Sequence, residues 1–186
     1  FYTKVFEALS MVLILSTSFI MLILQPLYKI LTEETYHVGW TCTPFLLCAM
    51  VYSCYSSFLG TNYVAMKKTK GVFLTTVIGA IANVVLNLIF IPVMGIEGAA
   101  MATLVSFFVT WVSRIIGTRN FAKIKYSIIT FWIPSILILC QAVLLTFGVH
   151  AIFIQMVIFM IVLALYARDI VKYCRHGYWF LTRKRR

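Results

Sequence analysis

The sequence predicts an all-α, polytopic membrane protein with six transmembrane helices. Of its 186 residues, 62% are hydrophobic and only 11% are charged, whereas a soluble surface carries roughly a quarter or more of charged side chains. Six apolar stretches also reach the length of roughly 20 residues that a helix needs to cross a hydrocarbon core about 30 Å thick. They lie at about 8–31, 40–66, 71–93, 96–117, 128–147 and 151–167.

The first stretch follows Lys4, as the apolar region of a signal peptide follows its basic residues. Its length, and Gln25 and Tyr28 in place of a small-x-small cleavage site, favour a helix that is retained. The chain begins at Phe1 without an initiating Met, as expected either of a piece of a longer protein or of a processed one. The predicted transmembrane domain covers residues 1–171.

Positive charge is distributed in the pattern that sets membrane orientation. If the N-terminus is cytoplasmic, all Lys and Arg residues except Lys29 fall in cytoplasmic segments, and the glutamates Glu33, Glu34 and Glu97 fall outside. Since an excess of Lys and Arg marks cytoplasmic loops, we expect a multi-pass protein of the cell inner (cytoplasmic) membrane with both chain ends cytoplasmic. The basic tail 172–186 would lie at the interface against lipid headgroups.

The net charge of +11 is therefore explained by topology. Binding to nucleic acid is disfavoured, because the basic residues are spread over alternate loops and no folded soluble domain presents them. The cysteines form no C-x-x-C pair, and the histidines fall at helix ends or in loops. No enzyme, metal site or cofactor is predicted.

The run from Asn83 to Leu104, NVVLNLIFIPVMGIEGAAMATL, predicts two helices joined by a tight corner. Polar and small residues at four-residue spacing share one face of the first helix, and small residues at the same spacing follow one face of the second. Pro92 and Gly95 are expected to stop the first helix. The two stripes, which predict close packing, are Thr75, Gly79, Asn83 and Asn87, and then Gly98, Ala102, Ser106 and Thr110.

This run resembles the hairpin shared by the multidrug, oligosaccharidyl-lipid and polysaccharide exporter superfamily. It is most similar to the polysaccharide flippase branch, in which the pattern N-x-x-L-N-x-x-x-I-P-x-x-G-x-x-G-A-A-x-A-T recurs, and the match covers about twenty residues. A weaker resemblance in helix order and loop length extends over the whole chain. It implies the C-terminal half of such a protein, one lobe of a MATE-like two-lobed transporter.

The resemblance also implies a function. Proteins of this branch flip a polyprenyl-diphosphate-linked oligosaccharide across the membrane by alternating access, for O-antigen, lipopolysaccharide and other surface polysaccharide biosynthesis. The implied partners are the lipid-linked oligosaccharide, membrane lipids and the polysaccharide polymerase or ligase machinery. Two alternatives remain open: a multidrug or cation antiporter of the same superfamily, and a non-transporting membrane scaffold of a polysaccharide assembly complex.

Polar faces inside the apolar helices supply the candidate transport path. They either bond to neighbouring helices or line a hydrated cavity. Arg114 continues the stripe from Thr110, so we expect it to face the interior, where a guanidinium binds phosphate in a fork. Lys29 would act similarly near the outer mouth, or else extend to the interface. The candidate path residues are Ser53, Ser57, Thr75, Asn83, Asn87, Arg114 and Lys29, and the structural hairpin residues are Pro92, Gly95, Gly98 and Ala102.

No Asp or Glu falls at mid-depth in any of the six stretches. An ion-driven antiporter or a cationic substrate favours an acidic group within the membrane. The absence of one from these stretches suits an anionic, phosphate-bearing substrate better than a cation.

Overall fold

The protein is all-helical over the residues that its computed structural model describes. These are 2–31, 39–119, 127–147 and 152–183, with side chains except at positions 29, 31 and 173–183. Six helices in these ranges are long and apolar enough to cross a membrane, and no strand occurs there. The prediction of an all-α chain with six such helices is confirmed, and it indicates a multi-pass membrane protein.

The helix bounds follow the predicted stretches with shifts at their ends. The first helix begins earlier than predicted, the second begins after a short 3₁₀ turn, and the last runs past position 167 into the predicted tail. The fifth stretch opens with one turn of π-helix, Ile128–Trp132, before it becomes α-helical. The helices are α1 Tyr2–Leu31, α2 Thr43–Ala65, α3 Thr69–Met94, α4 Ile96–Thr118, α5 Ile133–Thr146 and α6 Ile152–Arg183.

The corner between α3 and α4 differs from the prediction in one respect. Pro92 does not stop the helix, because it lies inside α3, which continues to Met94. Proline removes one backbone donor, and one lost bond in the last turn leaves the helix intact. Gly95 makes the corner: its φ of 61° and ψ of −131° lie in a region that is essentially restricted to glycine.

Helices α3 and α4 pack closely, as their small residues predict. A Cβ at Gly98 would overlap the Phe90 carbonyl on α3, and a Cβ at Gly79 would overlap the Thr110 hydroxyl on α4. Ala102 between these contacts is fully buried. Small side chains therefore let the two backbones approach, which is how helices gain packing energy where lipid supplies no hydrophobic force.

An aromatic cluster joins α1, α2 and the π-turn to α4 of this pair. Phe131 on the π-turn lies 5.5 Å from the ring of Phe6 on α1, 5.4 Å from Tyr55 on α2 and 5.5 Å from Trp111 on α4, measured between centroids. The four side chains are at most 2% exposed. Large rings bury much surface and pack in tilted pairs, so this cluster is the centre of the core where α1, α2, α4 and the π-turn meet.

A second, polar contact fixes α1 against α5. The hydroxyl of Ser18 donates to Oε1 of Gln141 at 2.7 Å, and Nε2 of Gln141 donates to the carbonyl of Ser18 at 3.2 Å. Both residues are fully buried. A buried amide needs partners for both of its ends, and Ser18 supplies both. Nothing in the sequence analysis anticipated this pair.

We expect Gly98→Ala to lower the free energy of unfolding by about 1–3 kcal/mol, because the added methyl group forces α3 and α4 apart. Gly39→Ala is the matched control, since a Cβ there meets only the Tyr28 ring at an ordinary 3.6 Å. Denaturation in detergent, followed by helical circular dichroism, measures both variants. Equal losses in the two would contradict the close approach at Gly98.

Ser18→Ala is expected to destabilise the protein by about 0.6–2 kcal/mol, because Oε1 of Gln141 loses its donor inside the bundle. Ser16 on the same helix is exposed, and its hydroxyl donates to its own helix at the Leu13 carbonyl. Ser16→Ala should therefore change stability by much less in the same assay. If the two alanine variants unfold alike, the Ser18–Gln141 contact does not hold α1 to α5.

Candidate functional site

A polar groove with a volume of about 420 Å³ opens between α2, α3 and α4. Most of its lining side chains carry a hydroxyl group, one is an amide and one a guanidinium, and none of these lining residues is acidic. The polar groove, as we call it below, is lined by Ser53, Ser56 and Ser57 of α2, by Thr76, Gly79, Ala80 and Asn83 of α3, and by Thr103, Ser106, Phe107, Thr110 and Arg114 of α4.

Helical spacing brings these side chains to one place. Ser53 and Ser57 lie four residues apart on α2. On α4 one side carries, at spacings of three or four, Thr103, Ser106, Thr110 and Arg114. Asn83 crosses from α3 to α4, where its Nδ2 donates to the hydroxyl of Ser106 at 3.2 Å. The groove is thus the polar edge of the closely packed α3–α4 pair, completed by α2.

Arg114 is the only charged residue that lines the polar groove, and it is 8% exposed. Its Nη1 donates to the carbonyl of Ser56 on α2 at 2.6 Å. Its Nε and Nη2 donate to the hydroxyls of Thr75 and Thr76 on α3, at 3.1 and 3.0 Å. One side chain of α4 therefore joins all three helices.

Gly60 makes room for this guanidinium. A Cβ at Gly60 would lie 3.0 Å from Nη1 and 3.6 Å from Cζ of Arg114, so a larger residue would press against the guanidinium. The three acceptors of Arg114 are all neutral oxygens, and of its five N–H groups the other two bond to no residue that the structure describes. Such a cation, buried with no counter-charge among the described residues, has donors left for an anion or water.

The hydroxyl groups around Arg114 donate to their own helices. Thr76 donates to the carbonyl of Val72 at 2.8 Å, Thr103 to Ala99 at 2.9 Å and Thr110 to Ser106 at 2.8 Å. Ser and Thr commonly satisfy themselves in this way inside helices. The oxygen lone pairs remain able to accept hydrogen bonds, so the lining is stable without a ligand and still able to bind one.

The structure brings four of the predicted path residues together. Ser53, Ser57, Asn83 and Arg114 all line the polar groove. Thr75 is buried beneath them as a partner of Arg114.

Two other predicted residues do not join this group. Asn87 lies outside the groove in a shallow apolar recess, and its Nδ2 donates to the carbonyl and to Oδ1 of Asn83, at 2.9 and 3.0 Å. The side chain of Lys29 lies outside the part of the chain that the structure describes.

Two hydroxyl-bearing groove residues of α3 and α4 were missed by the sequence analysis, Thr76 and Thr103. Thr76 precedes Asn83 by seven residues, and Thr103 precedes Thr110 by seven, so both share the faces already identified. Including the residues three positions before Gly79 and before Ser106, which share those faces, would have found them. Ser56 lies beside Ser53 and Ser57 in the lining contributed by α2. Its backbone carbonyl accepts from Arg114, and a backbone acceptor cannot be recognised from the residue type.

A scan against models of known protein families found no match, and searches of curated proteins and of solved structures found none either. The class therefore rests on the fold and the groove. Over the residues that the structure describes, the protein is all-helical, with six helices long and apolar enough to cross a membrane and a polar groove around a buried arginine.

Arg114→Met should lower the free energy of unfolding by no more than about 1 kcal/mol. Thr75 and Thr76 keep their bonds to their own helix, the Ser56 carbonyl lies within α2, and removing a buried charge recovers desolvation energy. Arg119→Met, at the exposed end of α4, is the control for this substitution. A loss above about 3 kcal/mol, measured by denaturation in detergent, would show that Arg114 is mainly structural.

Proposed function

We propose that this chain is the C-terminal lobe of a two-lobed, alternating-access transporter that flips a lipid-linked oligosaccharide across the cytoplasmic membrane. The observation that carries the proposal is Arg114, a buried guanidinium with neutral partners in a polar groove of a membrane-crossing bundle. Ionisable residues within membrane spans mark substrate pathways by default, because their burial is costly.

The position of the groove supports a second lobe. Apolar side chains along α3 are exposed, as expected of residues that face lipid: Phe73 is 72% exposed and Leu88 is 73% exposed. The groove beside them exposes Ser57 and Thr76, which lipid does not solvate. A polar strip of this kind is solvated where it lines a water-filled cavity. A second helical lobe, packed opposite this one, would enclose that cavity between the two lobes.

The groove chemistry supports the substrate class. Guanidinium groups bind phosphate oxygens through paired N–H groups, and two N–H groups of Arg114 that bond to no described residue are available for a diphosphate. The hydroxyl and amide groups of Ser53, Thr103 and Asn83 can exchange hydrogen bonds with sugar hydroxyls. The polyprenyl tail would stay in the bilayer, beside the open apolar face of α3.

The charge distribution supports the orientation. If each of the six helices crosses the membrane, the start of α1, the α2–α3 turn and the end of α4 share one side of it. Lys4, the three lysines of the turn and Arg119 all lie at these positions, and Glu97 lies at the opposite corner. By the positive-inside rule the lysine side is cytoplasmic, with both chain ends.

One observation favours a different function. All three hydrogen bonds that Arg114 donates to described residues reach neighbouring helices, as expected of a residue that holds a scaffold subunit together. A polysaccharide assembly complex with its polymerase or ligase would use such a subunit. A multidrug or cation antiporter is less favoured, since a guanidinium in the groove repels a cationic substrate.

Reconstitution of the full-length protein tests the proposal. Vesicles carry a labelled lipid-linked oligosaccharide, and an outside probe that is specific for the sugar reports its appearance in the outer leaflet. We expect Arg114→Met to slow flipping at least about tenfold, which corresponds to the loss of one charge-assisted contact, and Arg114→Lys to retain part of the rate. Arg119→Met should flip at the wild-type rate.

Three other outcomes would contradict the proposal. Equal rates for Arg114→Met and Arg119→Met would remove Arg114 from the path. Export of a cationic dye without oligosaccharide flipping would identify a multidrug antiporter. Transport of neither substrate, with the polymerase or ligase co-purifying, would identify a scaffold.

A further inference from the structure

A second basic site lies at the turn between α2 and α3, outside the polar groove. It is a recess of about 510 Å³, defined here as the lysine recess. Three of its lining residues are exposed lysines, and none of the lining residues is acidic. The lysine recess is lined by Tyr63, Lys67, Lys68, Thr69, Lys70, Gly71 and Gly117.

The depth of the recess is set by two glycines packed against one ring. Tyr63 is 5% exposed. A Cβ at Gly71, in the first turn of α3, would overlap the edge of its ring, and a Cβ at Gly117, near the end of α4, would overlap its hydroxyl. The ring therefore occupies the space between three helices as a fixed floor, and the lysine side chains form the rim.

The turn above this floor holds Lys67 in a left-handed conformation, with φ of 56°. The amide of Lys68 donates to the carbonyl of Tyr63 at 2.8 Å, and that of Lys67 donates to Val64 at 2.9 Å. These bonds form the Schellman ending of a helix, in which glycine normally takes the left-handed position. The chain carries a lysine there instead, at a conformational cost that glycine would avoid.

The start of α3 adds a second source of positive potential. Its N-cap is Lys68, which makes no side-chain cap hydrogen bond. Ser, Thr, Asp or Asn normally caps the first N–H groups of a helix, and a lysine side chain has no acceptor to offer them. A 26-residue helix thus begins without a side-chain cap beside three lysines, an arrangement that attracts anions.

We propose that the lysine recess binds a phosphate-bearing anion at the membrane surface. The recess lies between the end of α2 at Ala65 and the start of α3 at Thr69, where two membrane-crossing helices emerge. Basic pockets between transmembrane helices at this level bind anionic lipid headgroups, and a soluble phosphate compound offers the same chemistry. The inference does not depend on the proposed transport function.

Lipid binding to the full-length protein in neutral detergent tests the proposal. Native mass spectrometry measures binding of phosphatidylglycerol, with phosphatidylcholine as the neutral lipid. The triple variant Lys67→Gln, Lys68→Gln, Lys70→Gln is compared with Lys4→Gln, Arg168→Gln, Lys172→Gln, which removes the same charge from exposed positions at the same end of the bundle. We expect the first to bind phosphatidylglycerol about tenfold more weakly than the second.

Single substitutions at position 67 separate binding from folding. Lys67→Gly relieves the left-handed conformation, so it should raise the thermal unfolding midpoint while it weakens phosphatidylglycerol binding about fivefold, the effect of one lysine near a lipid surface. Lys67→Arg keeps the charge and should keep the affinity. Pyrophosphate, added as a competitor, distinguishes the source: displacement of the lipid indicates a soluble ligand class, and no displacement indicates a lipid headgroup.

Two results would overturn the proposal. Equal losses of phosphatidylglycerol binding in the two triple variants would mean that only the overall charge of this end attracts the lipid. If Lys67→Gly binds phosphatidylglycerol as tightly as the wild type, the turn is not part of the site, whatever the effect of the substitution on stability.

Discussion

The close approach of α3 and α4 is the constraint on which the rest of this structure depends. Gly79 and Gly98 bring the backbones together at two heights, and the side chains beside these contacts must be small or polar enough to fit. Asn83 and Ser106 meet across the contact for that reason. The groove is then a consequence of packing, because the polar edge of the pair remains open where α2 does not cover it. A stripe of small residues thus determines where polar groups are placed within the bundle.

The sequence predicted the features that follow from residue spacing within a single helix. Six apolar lengths, the face that carries Asn83 and the inward direction of Arg114 all follow from residue spacing along single helices. Contacts between distant segments were not predictable: Ser18 and Gln141 are 123 residues apart, and no pattern joins them. The prediction that Pro92 ends α3 was wrong, because a proline in the last turn removes only one backbone hydrogen bond. Asn87 shares the face of Asn83, but it lies outside the groove.

The structural contacts of Arg114 are compatible with the ligand-binding role proposed for it. Its bonds to Ser56, Thr75 and Thr76 orient the guanidinium, yet each acceptor is neutral, so none cancels its charge. A carboxylate partner would have neutralised it and left little attraction for an anion. Neutral acceptors hold the guanidinium in position and leave its positive charge uncompensated. Preorganised anion sites use the same arrangement. The contacts that favour a scaffold are therefore also those that a binding site requires.

The two basic sites are connected through the α2–α3 turn. Tyr63 follows Gly60 by one helical turn, and its ring fixes where α3 begins by contact with Gly71. The hydroxyl of Thr75, one turn further along α3, donates to the carbonyl of Gly71 at 2.9 Å and accepts from Arg114. A shift of the turn would move Thr75 relative to Arg114, because α3 is a continuous helix between them. An anion that stabilises the turn would thereby also stabilise the orientation of the guanidinium in the groove, so the two sites are expected to respond to each other.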